Sequence, residues 1–377
     1  MRVLFLFCVS VICYTYAGYL LLLTVLSIKK KRINKGDIFP YVSLIVAAYN
    51  EEDSIEGKIK NSLKLNYPKE KLEIIVASDC STDNTDKIVE KYLDKGIKLV
   101  RQNQRNGKTA VQNLAVASAK GEILVFSDAT TIYDKEALKK MVRNFNDSTV
   151  GCVAGVERFV KPEKSLIAEE VSLFWKYEQL LRQKETDVSS IVAVSGCIFA
   201  IRKFLHEELS ENLVEDLILP LKTIFKGYRV VNEKEAIGYE ETVINSEDDY
   251  KRKERIVTGG IIGLLYMKHL LNPVRYPILS FQLISHKIFR WLTPFFLIVL
   301  FLSNMYLIRN GLFFQVFGFL QILCYLLAGI GYLLRKTENT LKIFKIPYYF
   351  CLINAAAAVG VIKFLSGKRQ IVWTPVR

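Results

Sequence analysis

The sequence lacks the cysteine and histidine patterns of metal-binding or disulfide-bonded domains. Its seven cysteines include no CxxC pair, and its three histidines lie far apart along the chain. A structural zinc site needs such residues at short, regular spacings, and a disulfide framework needs a dense set of cysteines. Neither is expected here, which suits a domain in a reducing compartment.

Glycine-rich phosphate loops are absent as well. The 20 glycines form neither GxGxxG nor GxxxxGK[ST], the patterns with which many parallel α/β proteins bind dinucleotides and nucleoside triphosphates. The chain also has no internal repeat and no low-complexity linker. Any nucleotide is therefore expected to bind without those glycine loops.

Acidic residues are too few to balance the basic ones, since 38 Asp and Glu stand against 52 Lys and Arg, for a net charge of +14. The basic residues flank apolar segments, at residues 29–32, 251–255, 335–336 and 368–369. Anionic lipid headgroups and phosphate-bearing substrates explain this pattern better than nucleic acid does. We expect membrane lipids, and no nucleic acid, as partners.

Long apolar runs lie at both ends of a chain that is 51% hydrophobic. Residues 3–28, 291–308 and 312–334 carry no charge, and residues 346–362 form a shorter run. A helix that spans a bilayer needs about 20 such residues. We predict an N-terminal transmembrane anchor over residues 1–28 and a C-terminal transmembrane region over residues 291–366, with about three segments.

The direction of insertion follows from the basic cluster at residues 29–32. It lies after the apolar run, which is too long for a typical signal peptide, so we expect an uncleaved anchor with the N-terminus outside and residue 29 onward in the cytoplasm. Four full crossings would leave Lys368 and Arg369 outside, against the positive-inside rule. Either the last segment is re-entrant, or residues 276–287 contribute a crossing.

Between the apolar ends, short apolar runs alternate with helical patterns. Strands are predicted at residues 42–47, 72–77, 97–100 and 123–126, and helices at residues 53–65, 84–93 and 109–119. This alternation predicts a parallel, doubly wound α/β sheet. Residues 150–255 are less regular, and residues 256–290 are expected to form an amphipathic segment in the membrane interface.

Polar residues follow three of the predicted strands. They are Tyr49-Asn50-Glu51, residues 79–83, and Asp128-Ala129-Thr130. In a parallel α/β sheet, ligands bind beyond the carboxyl ends of the strands. These side chains are therefore expected to share one site.

Four segments in this half carry a resemblance to a known family. They are residues 42–52 (VSLIVAAYNEE), 73–85 (EIIVASDCSTDNT), 105–113 (RNGKTAVQN) and 126–131 (FSDATT). Together they resemble the nucleotide-binding half of family 2 glycosyltransferases, the inverting GT-A enzymes that include cellulose, chitin and hyaluronan synthases.

Three further segments follow in the family's order. They are residues 192–202 (VAVSGCIFAIR), Val214-Glu215-Asp216, and residues 252–256 (RKERI). The resemblance covers about residues 40–260. It implies a cytoplasmic GT-A-like α/β domain over residues 40–255, in an integral membrane protein of the plasma (inner) membrane.

The resemblance also implies a role for each matching residue. Asp216 is the presumed general base, with Gly196 and Glu215 on the acceptor side. Asp128 begins the DxD-like motif that holds Mg²⁺ or Mn²⁺. Nucleotide-sugar binding is implied for Ala48, Tyr49, Glu51, Asp79, Lys108, Asp128 and Arg255.

The sequence departs from the family's pattern in two places. The third position of the DxD motif is Thr130, and a hydroxyl is a poorer ligand for a hard cation than a carboxylate. The family's QxxRW motif is Arg252-Lys253-Glu254-Arg255-Ile256, without its Gln and Trp. Because those positions accompany long-chain synthesis in the family, processive synthesis is in doubt.

The implied function is inverting transfer of a sugar from a nucleotide-sugar, in particular a UDP-sugar, to a membrane-associated glycan acceptor in cell-surface or extracellular polysaccharide synthesis. The acceptor is a glycan or a lipid-linked molecule, and further partners include other members of a polysaccharide export system. Two alternatives stay open. One is a polyprenyl-phosphate monosaccharide transferase, and the other is a membrane scaffold or transporter with a degenerate transferase domain.

Several of these residues also have a purely structural interpretation. Asp79, Asp83 and Asp128 follow strands, where turns and helix caps favour aspartate. Glu215 and Asp216 suit a helix N-terminus. Lys108 could be a solvated charge, and Arg252 and Arg255 could contact lipid headgroups only. His286 and Arg290 are expected to mark a helix that enters the membrane interface. Glu178 and Glu185 are expected at the surface, with a role on the acceptor side as the alternative.

Overall fold

The computed structural model describes residues 1–160, 168–241, 246–335, 337 and 341–367. The basic residues Lys336, Lys368 and Arg369 of the sequence argument lie outside these ranges. Within them, the chain folds into one large sheet flanked by helices, with long apolar helices at both ends.

Eight strands form a single sheet in the order β3-β2-β1-β4-β7-β6-β8-β5. They are β1 (Val42–Ala48), β2 (Leu72–Ser78), β3 (Ile97–Arg101), β4 (Ile123–Asp128), β5 (Ile132–Tyr133), β6 (Val150–Val160), β7 (Ile198–Arg202) and β8 (Arg229–Glu241). The four predicted strands are confirmed, and β3, β2, β1 and β4 are parallel neighbours.

The parallel arrangement predicted from the first half is confirmed there, and the less regular second half adds antiparallel strands. Strand β7 runs antiparallel to both β4 and β6, and β5 runs antiparallel to β8, so the sheet is mixed. Residues 150–160 did not look like a regular strand because their apolar residues continue without alternation up to Glu157. That pattern is typical of a strand buried on both faces, and β6 is buried from Val150 to Glu157.

Thirteen α-helices occur in the described residues. They are α1 (Arg2–Cys13), α2 (Tyr19–Leu26), α3 (Ile55–Leu63), α4 (Thr85–Glu90), α5 (Lys108–Ser118), α6 (Ala137–Val142), α7 (Ala168–Val188), α8 (Glu215–Phe225), α9 (Ser246–Tyr266), α10 (Pro277–Leu283), α11 (Phe289–Leu307), α12 (Leu312–Leu333) and α13 (Lys342–Leu365). The three predicted helices of the first half correspond to α3, α4 and α5, which begin and end within three residues of the expected positions.

The core has two parts, one on each face of the sheet. Along β1, Leu44 and Val46 face one part and Ile45 faces the other, as the alternation of side chains along a strand requires. In the second part, the rings of Phe126 on β4 and Phe199 on β7 stack with centroids 4.8 Å apart. This packing joins the two antiparallel strands next to the carboxyl end of β4.

Four helical segments among the described residues are long and apolar enough to cross a membrane. They are Arg2–Leu26, Pro277–Leu307, Leu312–Leu333 and Lys342–Leu365. Residues 276–287 are thus the start of the second segment and not a separate crossing. With 31 residues that segment is about 46 Å long, and it exceeds a hydrocarbon core of about 30 Å.

The last helix, α13, packs along α9. The hydroxyl of Thr258 on α9 donates a hydrogen bond to the carbonyl of Gly360, 3.2 Å away, and Lys363 pairs with Glu254. Tyr250 of α9 also packs against the cluster formed by Tyr348, Tyr349 and Leu352 of α13. The final apolar helix, α13, therefore lies beside α9 over several turns.

Candidate active site

The loops after β1 and β2 are tied together at the carboxyl edge of the sheet. The backbone N–H of Asn50 donates to the hydroxyl of Ser81 at 3.1 Å, and the N–H of Thr82 donates to Asn50 Oδ1 at 2.8 Å. Asn50 and Cys80 both adopt left-handed backbone angles, with φ of 52° and 58°. Such angles are strained in residues other than glycine and occur often at functional sites.

Three predicted nucleotide-binding residues lie at the end of β1. Ala48 is its last residue and is buried, while the guanidinium of Arg105 lies 3.8 Å from the centroid of the Tyr49 ring. Glu51 is buried and lines the large cavity described below. The Tyr49–Arg105 pair gives this edge a flat, cationic surface.

Asp79 fixes the loop that leads into α5. Its two carboxylate oxygens accept hydrogen bonds of 2.9 Å from the backbone N–H groups of Asn106 and Gly107. Burial raises the pKa of this carboxyl group, an effect that the two hydrogen bonds only partly offset. Asp79 does not line the cavity itself, and the contacts observed for it position the residue that opens α5, Lys108.

Lys108 lies at the centre of a charged cluster. Its Nζ is 2.7 Å from Asp128 Oδ1 and 3.0 Å from Glu215 Oε1, and it donates to the carbonyl of Gly196 at 3.2 Å. Burial alone would lower the pKa of this lysine, but the two carboxylates outweigh it and raise the pKa above its ordinary value. Lys108 is therefore a fixed positive charge that joins β4, α8 and the segment before β7.

Gly196 leaves the space that this cluster needs. A Cβ atom added at Gly196 would lie 3.1 Å from Lys108 Nζ and 3.4 Å from Asp216 Oδ2. Such contacts are tight for a carbon atom, and Lys108 is held by partners on several sides. The small residue on the acceptor side thus allows the cation and the carboxylates to meet.

We expect Gly196→Ala to lower sugar transfer about tenfold, because small displacements of aligned reacting groups are costly. Initial rates at saturating donor measure the effect. Gly57→Ala is the matched control, since an added Cβ there meets nothing within 4 Å. A Gly196→Ala enzyme as active as Gly57→Ala would contradict this role for Gly196.

Asp216 lies in the first turn of α8 and is partly exposed to the cavity. No donor of the described residues hydrogen-bonds its carboxylate, while its backbone carbonyl accepts from the N–H of Val194 at 2.9 Å. Burial and the neighbouring Glu215 raise its pKa to about 6. A carboxylate with that pKa and free lone pairs is suited to accept a proton near neutral pH.

The two acidic residues of α8 differ in their contacts. Glu215 is buried, pairs with Lys108, and accepts a 3.4 Å hydrogen bond from the hydroxyl of Thr109. Asp216 has neither partner. The arrangement engages Glu215 in structure and leaves Asp216 available to a ligand.

The residues at the end of β4 fit a divalent cation. Asp128 Oδ1 pairs with Lys108, while Asp128 Oδ2 makes no hydrogen bond among the described residues. Both Asp128 and Thr130 line the cavity. Hard cations such as Mg²⁺ and Mn²⁺ take oxygen ligands. Asp128 can supply a carboxylate and Thr130 a weaker oxygen.

A second carboxylate group lies near this site and was missed by sequence reasoning. Ligand atoms of Glu157, Cys197 and Glu240 lie within 4.8 Å of one another. Arg252 already pairs with Glu157 at 3.1 Å, and burial together with Glu157 raises the pKa of Glu240. Glu157 is thus already paired with a cation, and the raised pKa of Glu240 disfavours its charged form, which makes the group a weaker metal site than its spacing alone suggests.

Arg252 and Arg255 occupy neighbouring turns of α9 with different contacts. Arg252 is engaged with Glu157, whereas Arg255 is partly exposed on the cavity and has no carboxylate of the described residues within 4.0 Å. Arg255 is thus the guanidinium that can reach an anionic ligand. Its role in binding the nucleotide-sugar stays a prediction.

Further buried polar residues were also missed. Lys58 is fully buried and donates to the carbonyl of Thr131, behind the loop that carries Asp128. Glu178 and Glu185, expected at the surface, are 5% and 0% exposed. Their spacing with Arg182, at i, i+4 and i+7, places them on one helix face and was the signal that could have found them.

The charged groups around Lys108, Asp128, Asp216 and Arg255 open onto one cavity of about 1630 Å³. Its walls include Lys108, Asp128 and Asp216 at the sheet, and Tyr16, Trp291 and Asn354 on three of the apolar helices. The cavity thus connects the carboxyl edge of the sheet with the membrane-spanning segments.

Comparison with known proteins finds a family model and several relatives that are similar to this chain. The profile described as "Glycosyl transferase family 2" matches residues 43–210. The chain is 28% identical to the "Probable glycosyltransferase YdaM" of Bacillus subtilis (strain 168), over 92% of this chain and 89% of that protein.

A second relative and one solved structure agree with this. The chain is 27% identical to the "Poly-beta-1,6-N-acetyl-D-glucosamine synthase" of Staphylococcus aureus (strain MSSA476), over 62% of this chain and only 58% of the synthase. The mannosyltransferase PcManGT from Pyrobaculum calidifontis, solved in complex with GDP-Man and Mn²⁺, has a similar fold, with a TM-score of 0.73 at 21% identity over 97% of this chain and 100% of that one. The ordered motifs, the mixed sheet and these relatives lead to one conclusion: residues 43–210 match family 2 of the glycosyltransferases, and the chain is a glycosyltransferase with a GT-A-like fold.

Proposed function

We propose that this glycosyltransferase moves a sugar from a UDP-sugar to a hydroxyl of a membrane-associated glycan acceptor, with inversion at the anomeric carbon. One observation carries the proposal. The accessible carboxylate of Asp216, the Lys108–Asp128 pair and the membrane segments all line the same cavity. The S. aureus relative, whose name gives an N-acetylglucosamine polymer as its product, supports a role in cell-surface polysaccharide synthesis.

In the proposed reaction, Asp216 takes the proton of the acceptor hydroxyl as its oxygen attacks the anomeric carbon. The bond from that carbon to the diphosphate oxygen breaks, and the nucleoside diphosphate leaves with the bonding electrons. Lys108 and Arg255 place fixed positive charge where the negative charge develops, which stabilises the transition state more than the ground state. The loops at Tyr49 and Asp79 shape the nucleotide end of the site.

We propose Mn²⁺ or Mg²⁺ as the cofactor, held by Asp128 with help from Thr130. A bound divalent cation would neutralise charge on the leaving diphosphate. The free Oδ2 of Asp128 supports this assignment, as does the Mn²⁺ bound by the P. calidifontis transferase.

We also propose an arrangement in the plasma membrane. Residues 1–28 anchor the chain, residues 40–255 form the cytoplasmic catalytic domain, residues 256–290 lie in the interface and residues 291–366 return to the membrane. The packing of α13 along α9 supports a last segment that is re-entrant and does not cross the membrane. Three crossings then keep the C-terminus inside, as the positive-inside rule requires. Members of a polysaccharide export system are the proposed further partners.

The raised pKa of Asp216 predicts a pH dependence. Because a general base must be deprotonated, kcat/KM should fall about tenfold per pH unit below about pH 6 and level off above it. Transfer rates between pH 5 and 8 measure this limb. The residual rate of Asp216→Asn should lack it, and a limb of the same midpoint in that variant would assign the titration to another group.

A panel of UDP- and GDP-sugars, tested for consumption by the purified protein in neutral lipid with Mn²⁺, tests the function. We expect one UDP-sugar to be consumed faster than the others, and only with the metal. A chain that neither binds nor consumes any of them would instead fit a scaffold with a degenerate domain.

A further inference from the structure

Glu178, Glu185 and His286 form a buried polar network between α7 and the segment Pro277–Leu307. His286 contacts Glu185 Oε1 through Nδ1 at 2.8 Å and Glu178 Oε1 through Nε2 at 2.9 Å. Tyr19 of the N-terminal segment donates to Glu185 at 2.6 Å. This network fixes the position of α7 against the membrane helices.

Three cations surround Glu178, namely Arg182, Lys287 and Arg290, which we call the cation cluster. Arg290 Nη1 donates to Glu178 Oε2 at 2.7 Å, and Arg182 Nε lies 3.5 Å from Glu178 Oε1. Lys287 has no carboxylate of the described residues within 4.0 Å. Glu178 and Glu185, both already bound to His286, therefore face these three positive charges.

The cluster has unused hydrogen-bond donors. Arg182 Nη1 and Arg290 Nη2 are buried and make no hydrogen bond within the described part of the chain, and Arg182 is only 6% exposed. Burying a charged donor without a partner is costly. All three cations line the cavity, so an anion there would receive hydrogen bonds from several sides.

The surroundings of the cluster indicate what carries that anion. Tyr16, Trp291 and Ile353, from three apolar segments, line the same cavity. The anion's molecule therefore has an apolar portion that lies among membrane helices. Arg182 and Lys287 share the cavity with Asp216, so a molecule whose anion binds them can also reach Asp216.

We propose that the cation cluster binds the phosphate group of a lipid-borne acceptor and thereby presents the acceptor's hydroxyl to Asp216. This assignment rests on the proposed function, because it takes Asp216 as the base. The donor's diphosphate has its own partners in Lys108, Arg255 and the metal site of Asp128. A phosphate bound in the cation cluster therefore belongs to the acceptor and not to the donor.

Binding of farnesyl diphosphate and of farnesol tests the assignment, since the two share a chain and differ in the anionic group. Quenching of the fluorescence of Trp175 and Trp291, which line the cavity, reports binding to protein in neutral detergent, with UDP and Mn²⁺ saturating the donor site. We expect farnesyl diphosphate to bind about tenfold or more tightly than farnesol.

Substitutions test whether the cation cluster causes the preference for farnesyl diphosphate over farnesol. Lys287→Met and Arg182→Met should each reduce it about tenfold, and Lys287→Arg should retain it. Lys268→Met is the matched control, because Lys268 is exposed outside the cavity and its loss should leave the preference unchanged. A circular-dichroism melt within a few degrees of wild type shows that each variant is folded.

Three results would overturn the proposal. They are equal affinity for the two probes, a preference that survives both methionine variants, and inorganic pyrophosphate that binds as tightly as farnesyl diphosphate, which would mean a site for free phosphate. Competition by phosphatidylglycerol as strong as by farnesyl diphosphate would assign the cluster to bulk lipid. UDP binding with Mn²⁺ is measured first, so failure of the donor site is seen separately, and the probe preference can also be measured without UDP.

Discussion

Replacing Asp216 by Asn is expected to lower sugar transfer about 10³-fold while donor affinity changes less than about threefold. General-base catalysis contributes about 10² to 10⁴ in rate, and asparagine keeps the shape of the side chain without accepting the proton. Asp216 makes no hydrogen bond to other described side chains. Its replacement should therefore leave the cluster of Lys108, Asp128 and Glu215 intact.

Transfer is measured with labelled donor, and UDP affinity by calorimetry with Mn²⁺ present. Asp94→Asn serves as a control for a carboxylate lost elsewhere, because Asp94 is exposed in the short 3₁₀ helix Leu93–Lys95 that follows α4. If Asp216→Asn lost UDP binding in proportion to its loss of rate, Asp216 would be a donor-binding residue and not the base.

The second large effect is expected for Asp128→Ala. This change removes the only carboxylate of the Asp128-Ala129-Thr130 segment and one of the two carboxylates on Lys108. With Mn²⁺ present, UDP affinity should fall about 10²-fold. Without metal, the wild type and the variant should bind UDP about equally weakly.

A matched gain of function is available at the same motif. Thr130→Asp places a second carboxylate beside Asp128, and carboxylates bind hard cations better than hydroxyls do. It should lower the Mn²⁺ concentration needed for half-maximal UDP binding. An unchanged metal titration in both Asp128→Ala and Thr130→Asp would remove this segment from the metal site.

The parallel half of the fold could be predicted from the sequence because its signals are local. Strands such as Val42–Ala48 are short apolar runs followed by turn residues, and a helical pattern separates most of these strands from the next one. Strands β6 and β8 could not be predicted in the same way. They pair with each other although about 70 residues separate them, and a strand buried on both faces shows no alternation.

The site shows the same division. The motifs predicted that Lys108, Asp128, Gly196, Glu215 and Asp216 share a chemistry, and the structure brings these five residues together. The contacts of Asp79 with backbone N–H groups could not be predicted, since they depend on the path of the loop before α5. The roles of the individual residues stay predictions until the variants are measured.

Buried charges were the least predictable feature. Glu178 and Glu185 were expected at the surface, because charged residues are rarely buried without a partner. Their partners Tyr19 and His286 are more than 100 positions away in the chain. Only the packing of the apolar helices against α7 brings these groups together.

The most direct test of the account is the fate of the donor sugar. Wild-type protein in membranes is given a UDP-sugar with the label on the sugar, together with Mn²⁺. The amount of label transferred to the acceptor should equal the amount of UDP released. Nuclear magnetic resonance of the product should show that the anomeric configuration is inverted. In Asp216→Asn, neither transfer nor UDP release should exceed about a thousandth of the wild-type rate. Retention of configuration, or transfer undiminished in Asp216→Asn, would contradict a single displacement with Asp216 as the base.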